Sequence, residues 1–115
     1  MNELKYEEVH PQSKEELERS FKSDDPEQIR SALYSAAWYE KDWRWTQEYC
    51  LNFLDHPNYL VRWAAALSLG YIAQFHKQLD LERVLPALHK AQSDPAIRST
   101  VGDSLDLISQ NIVKQ

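Results

Sequence analysis

Glycine is almost missing from this 115-residue chain, which carries only Gly70 and Gly102. That scarcity excludes glycine-rich phosphate loops and the tight turns that β-hairpins favour. No segment alternates apolar and polar residues, so strands are not expected. A single cysteine, Cys50, has no partner in the chain for a disulfide, and a reducing, cytoplasmic setting is expected. Long hydrophobic runs are missing too. The nearly apolar stretch 63–73 falls far short of the ~20 residues a membrane-spanning helix needs. The opening "MNELKYEEVHPQ" has neither a basic region nor an apolar core, so no secretory signal is expected.

What is present suits one helical domain. Hydrophobic residues make up 43% of the chain, enough at this length to bury a core without disulfides or a metal. The formal net charge is -5 and uneven. Residues 1–40 hold ten acids (Glu3, Glu7, Glu8, Glu15, Glu16, Glu18, Asp24, Asp25, Glu27, Glu40) against five bases (Lys5, Lys14, Arg19, Lys22, Arg30). Residues 41–115 are balanced, so the whole excess lies in the first third. Such a surface repels phosphate backbones and attracts basic proteins, which argues against nucleic acid as a partner. The plainer reading is a solvated face that keeps the chain dispersed.

Helix signals recur along the chain. "SKEE" from Ser13 has capping-box spacing and opens a helix burying Leu17 and Phe21. Asp24 and Asp25 precede Pro26, a first-turn proline, and Ile29, Leu33 and Ala36 then share a face. Asp42 caps a third helix reaching about Leu54, with Trp45, Tyr49, Cys50 and Phe53 inward. Asp80 caps a fifth, which buries Leu81, Val84, Leu85 and Leu88 and which Pro86 should kink. The last, from "SDPAIR", carries Ile97, Val101, Leu105, Ile108 and Ile112 in one stripe. Between the third and fifth lies "DHPNYLVRWAAALSLGYIA", apolar on almost every side.

Three turns resemble one another: "DDPEQIRSAL", "DHPNYLVRWAAAL" and "SDPAIRSTV" each join an acid, a proline, an aliphatic residue and an arginine. The arginines Arg30, Arg62 and Arg98 are 32 and then 36 residues apart, a repeat-like period. Helix pairs with an Asp-Pro turn and an aliphatic–Arg step early in the second helix resemble HEAT repeats, as does "VLPAL" in the fifth helix. The resemblance implies an all-α fold, a right-handed α-α superhelix of about three HEAT-like hairpins over 13–40, 42–76 and 80–112. Residues 1–12 form an arm or an extra cap. It also implies an inter-repeat ladder joining Arg30, Arg62 and Arg98 to turn acids such as Asp55 and Asp94. The acid precedes its arginine by six or five, seven and four residues, so the three turns cannot share one geometry. A central hairpin has neighbours on both sides, which explains a helix that is apolar nearly all round.

No catalytic constellation stands out, and the chain reads as a non-enzyme. His10, His56, His76 and His89 are far apart, with no ligand spacing for a metal and no cofactor signature. Cys50 falls among aromatics on an apolar face, the setting of an inert thiol. The unusual feature is "YSAAWYEKDWRWTQEY", which packs Tyr34, Trp38, Tyr39, Trp43, Trp45 and Tyr49 into sixteen residues. Trp45 and Tyr49 are assigned to packing. Tyr34, Trp38, Tyr39, Trp43 and Trp63, with Asp24, Asp25 and Glu27, form the candidate partner-binding set, since interfaces use Tyr and Trp as anchors. Aligned on the arginines, the positions four and eight further on read Tyr34, Ala66, Gly102 and Trp38, Gly70, Asp106. That row either lines a groove with an aromatic wall or lets helices approach closely.

A free-standing, acidic, aromatic-rich chain of this size resembles the HEAT-like immunity proteins of bacterial toxin–immunity systems. The resemblance implies a monomer that binds and neutralises a basic, nuclease-like toxin domain, without a cofactor. A generic HEAT scaffold or adaptor is the alternative reading. A HEAT-like chromophore lyase or DNA glycosylase fits less well, because a DNA enzyme needs a basic groove.

Overall fold

The computed structural model describes residues 9–112. Six helices follow in order: α1 Lys14–Phe21, α2 Pro26–Tyr39, α3 Trp43–Phe53, α4 Tyr59–His76, α5 Leu81–Ala91 and α6 Arg98–Asn111. No strand occurs among the described residues.

Local chemistry accounts for most of the helix starts. Ser13 Oγ accepts from the Glu16 amide at 3.1 Å while Glu16 accepts from the Ser13 amide at 3.0 Å, a complete capping box. Asp25 accepts from the Glu27 amide at 3.0 Å, with Pro26 in the first turn. Asp42 accepts from the Trp45 amide at 3.2 Å. Asn58 caps α4 through the Leu60 amide at 2.8 Å, and Lys77 closes it in the left-handed region at φ 59°.

Two starts differ from expectation. Residues 95–97 form a turn, so α6 begins at Arg98 rather than beside Asp94. One Asp94 oxygen accepts from the Ala96 amide and the other is held by Arg62, which fixes that turn ahead of the helix. Asp80 stands at the head of α5 but makes no side-chain cap. Its amide instead donates to Oε1 of the buried Gln47 at 2.8 Å, tying α5 to α3. Pro86 lies within α5, and the carbonyl of Glu82, deprived of its helical donor, belongs to an exposed residue.

Packing builds two layers. Each of α1, α3 and α5 packs on the helix that follows it, and α4 packs extensively against both α2 and α6. This all-helical arrangement is consistent with a helical superhelix. Val61, Ala64, Ala65, Ala66, Leu69, Ile72 and Ala73 of α4 are all completely buried. Burying Val, Leu or Ile stabilises a fold by about 1.5–3 kcal/mol each, to which Val61, Leu69 and Ile72 contribute on this helix, while its alanines let the neighbouring helices come close. On the outer side, Phe21 of α1 meets Trp45, Tyr49 and Phe53 of α3 with ring centroids 6.0, 4.3 and 5.7 Å away.

Side-chain contacts set the register of the second helices. Tyr34 meets Tyr71 at 6.0 Å and Trp38 meets Phe75 at 5.6 Å, so α2 and α4 run parallel. His76 Nε2 donates to the Ala37 carbonyl at 3.0 Å beside that contact. Gly70 brings α4 and α6 together: a Cβ there would lie 3.0 Å from Leu107 Cδ1 and from the Ser104 Cα. At Gly102 a Cβ would meet nothing within 4 Å. The row of small residues is therefore filled by α6 at Gly70 and, among the described residues, open at Gly102. Of the first twelve residues, 1–8 lie outside the described part. Val9 is buried on α2, where the Ser35 hydroxyl donates to the His10 carbonyl at 2.6 Å and the Tyr39 hydroxyl to the Val9 carbonyl at 3.3 Å.

Candidate functional site

The candidate residues separate into three places. Asp24, Asp25 and Glu27 are exposed at the head of α2. The register of α2 on α4 puts half-buried Trp63 level with that acidic end. Trp38 and Tyr39 lie at the far end of α2, about 18 Å away at the helical rise of 1.5 Å per residue. Trp43 opens α3 in the other layer, with the Arg44 guanidinium 4.6 Å from its ring centroid. No single patch gathers all eight residues.

At the far end, aromatic side chains from two helices interlock. Trp38 contacts Tyr39, Tyr71 and Phe75 at 6.1, 5.7 and 5.6 Å. Tyr39 and Phe75 keep 44% and 42% of their surface exposed, so the outer edge of this cluster is accessible. Tyr34 is different: it is 5% exposed beneath Tyr71, and burial pushes its phenol up to about 12. Its position serves the α2–α4 contact, not the surface. Tyr71 and Phe75 were missed by the sequence reading. Continuing the arginine alignment to the ninth position, which reads Tyr39, Tyr71 and Leu107, was the signal that could have found Tyr71.

The arginines and turn acids form one inter-pair rung among the described residues. Arg62 Nε donates to Asp94 at 2.9 Å across the α4–α6 contact, and its NH1 donates to the His56 and Pro57 carbonyls. Arg98 uses its Nε on the Gln92 carbonyl, bracing its own turn in the same way. Arg30 pairs with Glu27 on its own helix at 2.6 Å, and its Nε is buried without an acceptor. Asp55 is exposed and joins no ion pair among the described residues. The reason is positional. Asp94 stands four residues before Arg98, and the same place before Arg62 is held by Asn58. Asn58 uses its side-chain oxygen to cap α4, and its amide nitrogen cannot accept from an arginine as the second Asp94 oxygen does. A cleft of about 480 Å³ surrounds the Arg62–Asp94 rung between the α3–α4 and α5–α6 turns, so those two charges are already satisfied there.

Little here resembles reaction chemistry. Cys50 is completely buried and desolvation pushes its thiol well above the ordinary range, the setting of an unreactive thiol. Among the described residues no three His, Cys, Asp or Glu side chains converge as a metal site. No described helix is long and apolar enough to cross a membrane. What the site does offer is surface: exposed aromatic edges, unpaired carboxylates and a rigid helical backing.

No protein-family model matches the chain, and no curated protein does. Among solved structures it is similar to a chain of the crystal structure of a CDI complex from Cupriavidus taiwanensis LMG 19424. The TM-score is 0.85 at 25% identity, covering 96% of this chain and 100% of that one.

Proposed function

We propose that this chain is a non-catalytic immunity protein of a contact-dependent inhibition system, binding and neutralising a cognate toxin domain. The observation that carries the proposal is the match, end to end, to a chain of a CDI complex. Such complexes pair a toxin with its immunity protein. This chain fits the immunity side because its excess charge is acidic, its candidate nucleophile is sealed in the core, and its accessible features are aromatic edges and carboxylates.

The toxin in this reading is basic, with a nuclease-like active site. Carboxylates such as Asp24 and Asp25 stand where substrate phosphates would otherwise approach, and steer association over a screening length of about 8–10 Å. Aromatic edges at Trp38, Tyr39 and Trp63 anchor the contact, with Trp43 reachable from the other layer. The HEAT-like architecture supplies rigidity, so little ordering entropy opposes binding. The complex forms inside the producing cell, between one copy of each protein.

Co-expression tests this directly. The toxin domain encoded beside this chain should halt growth when produced alone, and this chain should restore growth. Continued arrest with both proteins present would reject the assignment. Growth arrest by this chain alone would place it on the toxin side instead.

A further inference from the structure

Among the described residues, α4 keeps one half-buried side beside its contacts with α2 and α6. Counting again from the arginines, the next position reads Ser31, Trp63 and Ser99, and the fifth reads Ser35, Leu67 and Asp103. Ser31 and Ser99 are exposed, whereas Ser35 is buried where Val9 and His10 lie on α2, and the two α4 positions are the half-buried Trp63 and Leu67. The Trp63 indole enters no ring stack and no hydrogen bond among the described residues, unlike the interlocked rings at the other end of α4. Leu60 and Leu67, three residues before and four after, share its helical face and are half-buried too. These three form an apolar strip about 10 Å long at 1.5 Å per residue, on a helix otherwise sealed through its middle turns.

Carboxylates without an ion pair among the described residues outnumber such cations around the strip, because the exposed Asp24 and Asp25 stand level with Trp63. Arg62 is held by Asp94 and two carbonyls, and Arg30 by Glu27. Asp103, in the same row as Leu67, is exposed and joins no ion pair among the described residues. Among the described residues Arg98 has no carboxylate partner, and its Nε donates to the Gln92 carbonyl.

We propose that the Leu60–Trp63–Leu67 strip is where a basic segment of the toxin docks, seating an apolar side chain on Trp63 and a lysine or arginine against Asp103. The proposal rests on the immunity reading and names the contact within it. A partly desolvated aromatic anchor, with an unpaired carboxylate farther along the neighbouring helix, suits such a segment, because the first supplies affinity and the second fixes orientation. None of Leu60, Leu67 and Asp103 belongs to the set the sequence suggested.

The test measures binding of the full chain to the toxin domain encoded beside it, with circular dichroism confirming that each variant is folded. Trp63→Ala should weaken binding about thirtyfold or more, the scale of an anchor residue. Asp103→Lys should weaken it about tenfold or more, whereas Glu82→Lys, the same charge change on exposed α5 in the other layer, should stay within about threefold. Should Trp63→Ala unfold the chain, Asp103→Lys on exposed α6 still decides. If Asp103→Lys binds like the wild type, or if Glu82→Lys weakens binding equally, the strip is not the docking site, although the immunity reading stands. A wild-type chain that does not bind the toxin overturns both.

Discussion

The two glycines of the chain should respond to alanine with opposite signs. At Gly70 the added Cβ would sit 3.0 Å from the Ser104 Cα, a backbone atom that cannot swing aside, and from Leu107 Cδ1. Ordinary carbon contacts need about 3.5–4.0 Å, so α4 and α6 must part by roughly half an ångström along their shared seam. Overpacking of this kind costs about 1–3 kcal/mol. Replacing glycine in a helix interior returns about 0.8–1 kcal/mol, so Gly70→Ala should lose about 1 kcal/mol net, and up to about 2. Gly102 has open space at the same point, so Gly102→Ala keeps the helical gain and should stabilise by about 0.5–1 kcal/mol. Urea denaturation measures both. With a slope of about 1–1.5 kcal/mol per molar for a small domain, the two midpoints should differ by about 1–2 M. Gly70→Ala proving as stable as Gly102→Ala would refute the close approach of α4 and α6, and with it the sandwiched position of α4.

Other substitutions probe the ladder and the core. Asn58→Asp keeps the α4 cap and adds an oxygen at the position that Asp94 occupies in the next turn, so Arg30 gains the acceptor its Nε lacks. Thermal denaturation should show a gain of about 0.5–2 kcal/mol, the range of a charge-assisted bond, and no gain would mean that the turns are not equivalent. The Cys50 thiol should react with a thiol reagent only as fast as the protein unfolds, and rapid labelling of native protein would contradict its burial. Tyr34 should be the last phenol to ionise in an ultraviolet titration, near 12 against the usual 10. Because its folded pKa is raised, the stability it contributes is complete below pH 10 and is lost as pH climbs toward 12. A single tyrosine transition near 10 would contradict the buried ring.

Helix existence was legible because its causes are local. Ser13, Asp25 and Asp42 lie two or three residues from the amides they cap, within reach of any reading of the chain. The start of α6 was not, since Asp94 is committed to Arg62, a residue 32 positions away. The candidate site was harder for a related reason. Periodicity shows that Tyr34, Ala66 and Gly102 share a row, but not which flank the next helix takes. Packing buries Ala66 and, four residues on, Gly70, and leaves Trp63 and Leu67 half-buried and Asp103 exposed. The ladder arginines likewise share a sequence step but not a role, because one amide at Asn58 removes an acceptor that a carboxylate at Asp94 provides.

Whether this chain neutralises a toxin by binding it is decided by calorimetric titration with the toxin domain encoded beside it. The prediction is a one-to-one complex with a dissociation constant in the nanomolar range or below, its association rate falling as salt screens the acidic surface. Absence of binding at micromolar concentrations of both proteins would contradict it.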